Sequence, residues 1–112
     1  MTRNHELALR ADLGRPVLFV VDADQEGRAA TEAALVRRFG LDHRVVTADT
    51  PESGLAALER LARHGDEVAL IAADLGLPGM DGVEFLERAH GLHRNASRAL
   101  LITMDRNTLA FR

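Results

Sequence analysis

Four short apolar runs, residues 17–21, 43–48, 68–73 and 98–103, alternate with segments of helical period, and this alternation restricts the fold more than any other feature of the sequence. Each run holds five or six residues and is rich in Val, Leu or Ile, the length and composition of a strand. The third, Val68-Ala69-Leu70-Ile71-Ala72-Ala73, is apolar at every position, as a strand buried on both faces of a parallel sheet must be. Between the runs, Ala30, Ala34, Leu35 and Val36 recur at helical spacing within residues 25–39, and Gly40 supplies the stop. Thr50 is placed to cap a second helix with Pro51 at its first position; Leu55, Leu58, Leu61 and Ala62 give that helix one apolar stripe, and His64-Gly65 closes it. Val83, Phe85, Leu86 and Ala89 face a core from a third helix that ends near Gly91. The order β-α-β-α-β-α-β predicts a parallel sheet with helices on both faces.

The 112 residues have room for one small domain. Residues 1–15 read as an N-terminal extension with at most one loose helix, residues 16–112 as the domain, and 105–112 as about two helical turns. A sequence that stops just after its fourth strand predicts that strand's outer edge to be open, or covered by something outside this chain, and hence a homodimer through that edge or through the last turns. Cysteine is absent, which excludes disulfides, thiolate metal sites and a cysteine nucleophile. No run is long enough to span a membrane and no signal pattern opens the chain, so a cytoplasmic protein without membrane contact is expected. The net charge of −3, with both signs interspersed, provides no basic stripe for nucleic acid, and four phenylalanines are too few for base stacking.

Chemistry concentrates at one end of the predicted sheet. Asp22 and Asp24 follow the first strand, Asp74 follows the third, and Thr103 closes the fourth. In a parallel sheet these strand ends point the same way, toward the crevice where open α/β sheets bind ligands. Carboxylates gathered there repel one another unless a hard cation such as Mg²⁺ joins them. A carboxylate beside such a cation can also attack a phosphoryl group whose charge a hydroxyl helps to hold, which is phosphoryl transfer to an aspartate. Asp24 has a second reading, as the cap of the first helix. Thr103 likewise reads either as a functional hydroxyl or as a strand residue bonding its own backbone, and Asp81 as a turn residue before Gly82. The five histidines, His5, His43, His64, His90 and His93, lack a second ligand at metal spacing and read as solvent-exposed. Arg106 is the one basic residue that the pattern places near the site.

The sequence resembles the receiver domains of two-component response regulators. The matching pieces are Leu18-Phe19-Val20-Val21-Asp22, the loop Asp74-Leu75-Gly76-Leu77-Pro78-Gly79-Met80-Asp81-Gly82, the helix start Val83-Glu84-Phe85-Leu86, and Leu101-Ile102-Thr103. The resemblance covers residues 17 to about 105. It implies a flavodoxin-like (CheY-like) three-layer α/β/α fold with strand order 2-1-3-4, lacking the fifth strand and last helix. It also implies Asp74 as phosphoacceptor, Thr103 as switch hydroxyl, and Asp22, Asp74 and the Gly76 carbonyl as the Mg²⁺ site, with Asp24 a weak further ligand. A histidine kinase or histidine phosphotransfer protein would be the partner. The stretch from Asp74 to Leu101 is also similar to receiver segments joined to thioredoxin-reductase-like flavoproteins.

Three departures bear on function. Where the family has a second acid after the first strand this chain has Ala23, which makes Mg²⁺ binding weak or absent; Met104 follows the threonine where a small residue is usual; and no lysine occurs anywhere in the sequence. Two functions of different class follow: a signalling domain that accepts a phosphoryl group on Asp74, or a degenerate receiver that acts as an interaction or dimerisation module. Neither is an independent enzyme. A flavin-binding domain on the same fold is disfavoured by the scarcity of aromatic residues.

Overall fold

The computed structural model of the chain describes residues 14–102, in which four parallel strands and three helices alternate. The strands are β1 (Val17–Val21), β2 (Arg44–Ala48), β3 (Val68–Asp74) and β4 (Ser97–Leu101), and the helices are α1 (Gln25–Phe39), α2 (Pro51–Arg63) and α3 (Gly82–Leu92). The sheet order is β2-β1-β3-β4, as expected for the flavodoxin-like arrangement. Residues 1–13 of the expected extension 1–15, Thr103 (expected as the switch hydroxyl), Met104, Arg106 and the expected last helical turns lie outside the described residues.

Strand position follows from strand composition. β1, buried along its whole length, lies between β2 and β3, with Val17 to Val21 opposite residues 44 to 48 on one side and Val21 opposite Ala73 on the other. Alternate β1 residues point to opposite faces. Val17, Phe19 and Val21 join Leu58 of α2, Ile71 and Ala73 of β3, and Phe85, Leu86 and Ala89 of α3 in one core. Leu18 and Val20 point the other way, on the face where α1 packs against β1 and β2.

The helix ends follow their local chemistry. Thr50 and Ser53 form a reciprocal capping box at the start of α2, with Pro51 at its first position. At the other end Gly65 has φ +76°, its N–H donates to the Ala62 carbonyl, and the Asp66 N–H donates to the Leu61 carbonyl, the paired bonds of a Schellman motif. Asp66 is buried and sits 3.2 Å from the Arg44 guanidinium, closing the amino end of the sheet between β2 and β3.

α1 forms over the expected residues 25–39 but contains no buried residue, because its alanines and leucines are spread around the helix. Three sequence expectations are corrected. Val83 is 47% exposed and does not face the core, since it falls between the buried positions Gly82, Phe85 and Leu86 of α3. β4 is a half-exposed edge strand, with Ser97 and Arg98 open to solvent, whereas its apolar run reads as buried. Two histidines are not solvent-exposed loop residues: the His43 ring packs edge-on against Phe39 at 6.0 Å, and His93 Nε2 lies 2.7 Å from the Leu58 carbonyl, tying the end of α3 to the middle of α2.

Candidate functional site

The registers of β1 and β3 bring the two acidic strand ends side by side. Val21 is paired with Ala73, so Asp22 and Asp74, each one residue further on, occupy adjacent strand ends at the carboxyl edge. Neighbouring strands are spaced about 4.8 Å apart, so both carboxylates serve one crevice.

Each acid is held by local backbone. The Asp22 N–H donates to the Ala48 carbonyl (3.1 Å), which extends the β1–β2 ladder by one residue, and the residue is only 8% exposed. Asp22 Oδ1 accepts from the Asp24 N–H at 3.0 Å. Asp24 Oδ2 accepts from the Gly27 N–H at 2.7 Å and caps α1. Of the two readings of Asp24, the cap is the one its geometry supports. A Cβ at Gly27 would lie 2.9 Å from Asp24 Oδ2 and 3.0 Å from Asp22 Oδ2, so a larger residue there would have to displace both carboxylates.

Asp74 ends β3 and is partly exposed. Its Oδ2 accepts from the Gly76 N–H at 3.2 Å, while Oδ1 has no hydrogen-bond partner among the described residues. The loop that follows is tightly built. The Leu75 N–H donates to the Leu101 carbonyl (2.9 Å), the Gly82 N–H returns to the Leu75 carbonyl (3.1 Å), and Gly79 takes φ +82°, as the glycine of a Pro-Gly turn does. Leu77 is buried beneath the loop and joins the core. Asp81 does more than turn the chain, because its side chain accepts from the Glu84 N–H at 2.9 Å and caps α3.

One site residue is not foreseen by the sequence pattern. Arg28, in the second turn of α1, donates from Nη1 to the Asp22 carbonyl at 2.9 Å. It is therefore Arg28 that brings a cation to this end of the described sheet; Arg106, the basic residue expected there, lies outside the described residues. The signal available beforehand was position, since Arg28 follows Asp22 by six residues and is the first cation of the helix that Asp22 leads into.

A hard divalent cation takes about six oxygen ligands. Among the described residues no three acidic or imidazole side chains converge as a metal group, Ala23 offers no carboxylate, and Asp24 is engaged as a cap. Among the described residues, Asp22 Oδ2, Asp74 Oδ1 and the Gly76 carbonyl are the oxygens that could meet Mg²⁺, an ion that completes its six ligands largely with water. Among the same residues no helix is long and apolar enough to cross a membrane.

No protein-family model and no curated protein matches the sequence. Solved structures do match. A response regulator receiver domain protein (CheY-like) from Methanospirillum hungatei JF-1 superposes with a TM-score of 0.62 at 24% identity, over 87% of this chain and 72% of that one. The signal receiver domain of an HD domain-containing protein from Pseudomonas fluorescens Pf-5 gives 0.59 at 25% identity, over 86% and 71% of the two chains. The receiver domain from hybrid histidine kinase CckA gives 0.61 at 25% identity, over 86% and 94%. With its four parallel strands in the order 2-1-3-4 and three helices among the described residues, the chain has the CheY-like fold of response regulator receiver domains.

Proposed function

We propose that the chain is a receiver-type signalling domain that accepts a phosphoryl group on Asp74. The observation that carries this reading is the state of the Asp74 carboxylate at the sheet's carboxyl edge: Oδ2 is held by the Gly76 N–H, and Oδ1 has no hydrogen-bond partner among the described residues. In the transfer Oδ1 attacks phosphorus, a new P–O bond forms, and the bond to the donor breaks with its electron pair leaving on the donor. From acetyl phosphate the leaving group is acetate; from a histidine kinase or histidine phosphotransfer protein it is the imidazole nitrogen. Thr103 is the hydroxyl proposed to read the product. Because the donor set for Mg²⁺ is small, transfer depends weakly on that ion. The chain turns over no substrate other than the group on Asp74, and its setting is the cytoplasm.

The test is labelling of the whole chain with acetyl phosphate, followed by intact mass, with and without Mg²⁺. Asp74 should gain one phosphoryl group and Asp74→Asn none. Equal labelling of the two proteins, or no label on either, refutes the proposal.

A second reading is favoured by Ala23, by the absence of lysine and by the engagement of Asp24 as a cap: a degenerate receiver that no longer switches and acts as an interaction or dimerisation module. Its proposed surface is the outer edge of β4, where no strand pairs among the described residues and where Ile102 is 58% exposed. Unpaired edges of this kind recruit other strands. Small-angle scattering across a concentration series separates the two readings, because the module associates without any phosphodonor. A monomer throughout the series rules the β4-edge dimer out.

A further inference from the structure

The opposite edge of the sheet differs in character from the β4 edge. The Arg44 N–H donates to the Pro16 carbonyl (2.9 Å) and the Ala48 carbonyl accepts from the Asp22 N–H (3.1 Å), so residues 44 and 48 turn their backbone groups toward β1. Backbone direction alternates along a strand, and Val45 and Thr47 therefore turn theirs outward. No described strand pairs with them.

Two cavities of about 330 and 260 Å³ flank this edge and share Ala57 and Arg60. On one flank α2 presents Ser53, Ala57, Arg60 and His64, spaced so that they form a single stripe along the helix. The small residues let a chain approach, and Arg60, exposed and without an ion pair or hydrogen bond among the described residues, is available to meet a charge. Arg28 of α1 lines the other flank and Arg44 projects from β2 itself. Two acids line the cavities, Asp49 and Asp66, and Asp66 is engaged by Arg44. A chain of net charge −3 thus gathers three arginines along one open strand edge.

We propose that the outer edge of β2 docks an extended acidic segment of a partner protein, which adds to the sheet beside β2. The N–H and C=O groups of Val45 and Thr47 supply the backbone bonds, and Arg60 meets an acidic side chain on the α2 side. Backbone pairing gives the affinity and side-chain contacts the selectivity, the general division of labour in strand addition. A peptide suits this edge where a nucleic acid does not, because the exposed groups are strand donors and acceptors and no aromatic residue lines either cavity. Arg28 also holds the Asp22 carbonyl, so a segment seated here lies one residue contact from the acidic crevice.

The probe is the blocked peptide acetyl-Glu-Val-Glu-Val-Glu-amide, titrated into the ¹⁵N-labelled full chain, with the Lys-for-Glu peptide and a backbone N-methylated Glu peptide as controls. The expected result is a saturable shift of the Val45 and Thr47 amides with the acidic peptide alone. Affinity should weaken on adding salt, and by roughly three- to fivefold in Arg60→Gln, the loss of one exposed charge pair. The proposal is overturned if shifts appear instead at Ala99 and Leu101 of β4, if the lysine or N-methylated peptide binds equally well, if salt and Arg60→Gln leave the affinity unchanged, or if no saturable shift occurs up to about 5 mM peptide, the regime of a barely favourable contact.

Discussion

Gly82 and Gly91 lie in the same helix, and alanine at the two positions should change stability in opposite directions. A Cβ built at Gly82 would press on the carbonyl oxygen of Asp74, and would lie 2.9 Å from that carbonyl's carbon and 2.9 Å from Leu100 Cδ1. The obstacle is chiefly backbone, which cannot rotate away. Gly82 does not have a positive φ, so the demand is for space and not for conformational freedom. Overpacking of this kind costs about 1–3 kcal/mol, against which alanine's better helix propensity returns at most about 1 kcal/mol, and less at a first helical position. A net loss of about 1–2 kcal/mol is expected for Gly82→Ala. A Cβ at Gly91 meets nothing within 4 Å, so Gly91→Ala keeps only the propensity term and should gain about 0.5–1 kcal/mol. For a domain of this size about 1 kcal/mol moves Tm by roughly 4–8 °C, well within reach of calorimetry or urea unfolding followed by circular dichroism. Because the Gly82 contact bears on Asp74 itself, Gly82→Ala should also slow acetyl phosphate labelling while Gly91→Ala leaves it unchanged. Equal stability changes of the same sign in the two variants would refute the close approach of α3 to the end of β3, and with it the account of how the loop holds Asp74.

Three further outcomes follow from the site and the sheet ends. Ala23→Asp places a carboxylate at an exposed position beside Asp22; it should leave Tm nearly unchanged and make labelling of Asp74 clearly Mg²⁺-dependent, as read by intact mass with and without chelator. Asp24→Ala should cost about 1 kcal/mol in urea unfolding through loss of the α1 cap, while Asp24→Asn, which retains a capping oxygen, should cost little; equal losses in both would show that charge and not capping is what matters there. Asp66→Ala removes the partner of the part-buried Arg44 guanidinium, and a loss of about 1–3 kcal/mol is expected, held below the value for a fully buried pair because Arg44 keeps some contact with water.

Much of the fold is legible in the residues because the signals are local. The apolar runs around Phe19 and Ile71 can only be central strands, the Thr50-Pro51 start of α2 and its His64-Gly65 end carry their own capping chemistry, and Pro78-Gly79 marks a turn whose glycine does take positive φ. Asp22 and Asp74 were legible as site candidates because each ends an apolar run. Less legible were properties that depend on neighbours distant in sequence. Val83 carries an apolar side chain at a plausible spacing, yet the rotation of α3 that buries Phe85 and Leu86 leaves it outside. The run at residues 98–103 reads as a buried strand with an open outer edge; the edge is as expected, but only the packing around it leaves Ser97 and Arg98 open to solvent.

The acidic crevice shows the same division within a few residues. The sequence by itself determines which groups exist: aspartates after β1 and β3, alanine at position 23, glycine at 27 and 76, and no lysine, so the chemistry open to the site is bounded before any fold is known. Tertiary structure decides how those groups are used. It sets Asp22 beside Asp74 through the register of β1 and β3, engages Asp24 as a helix cap, ties Asp74 Oδ2 to Gly76 while Oδ1 has no partner among the described residues, and brings Arg28 to the Asp22 carbonyl. The physical reason is that identity and spacing fix a side chain's charge and reach. Its partners are fixed by which strand ends meet and which backbone groups have already been satisfied.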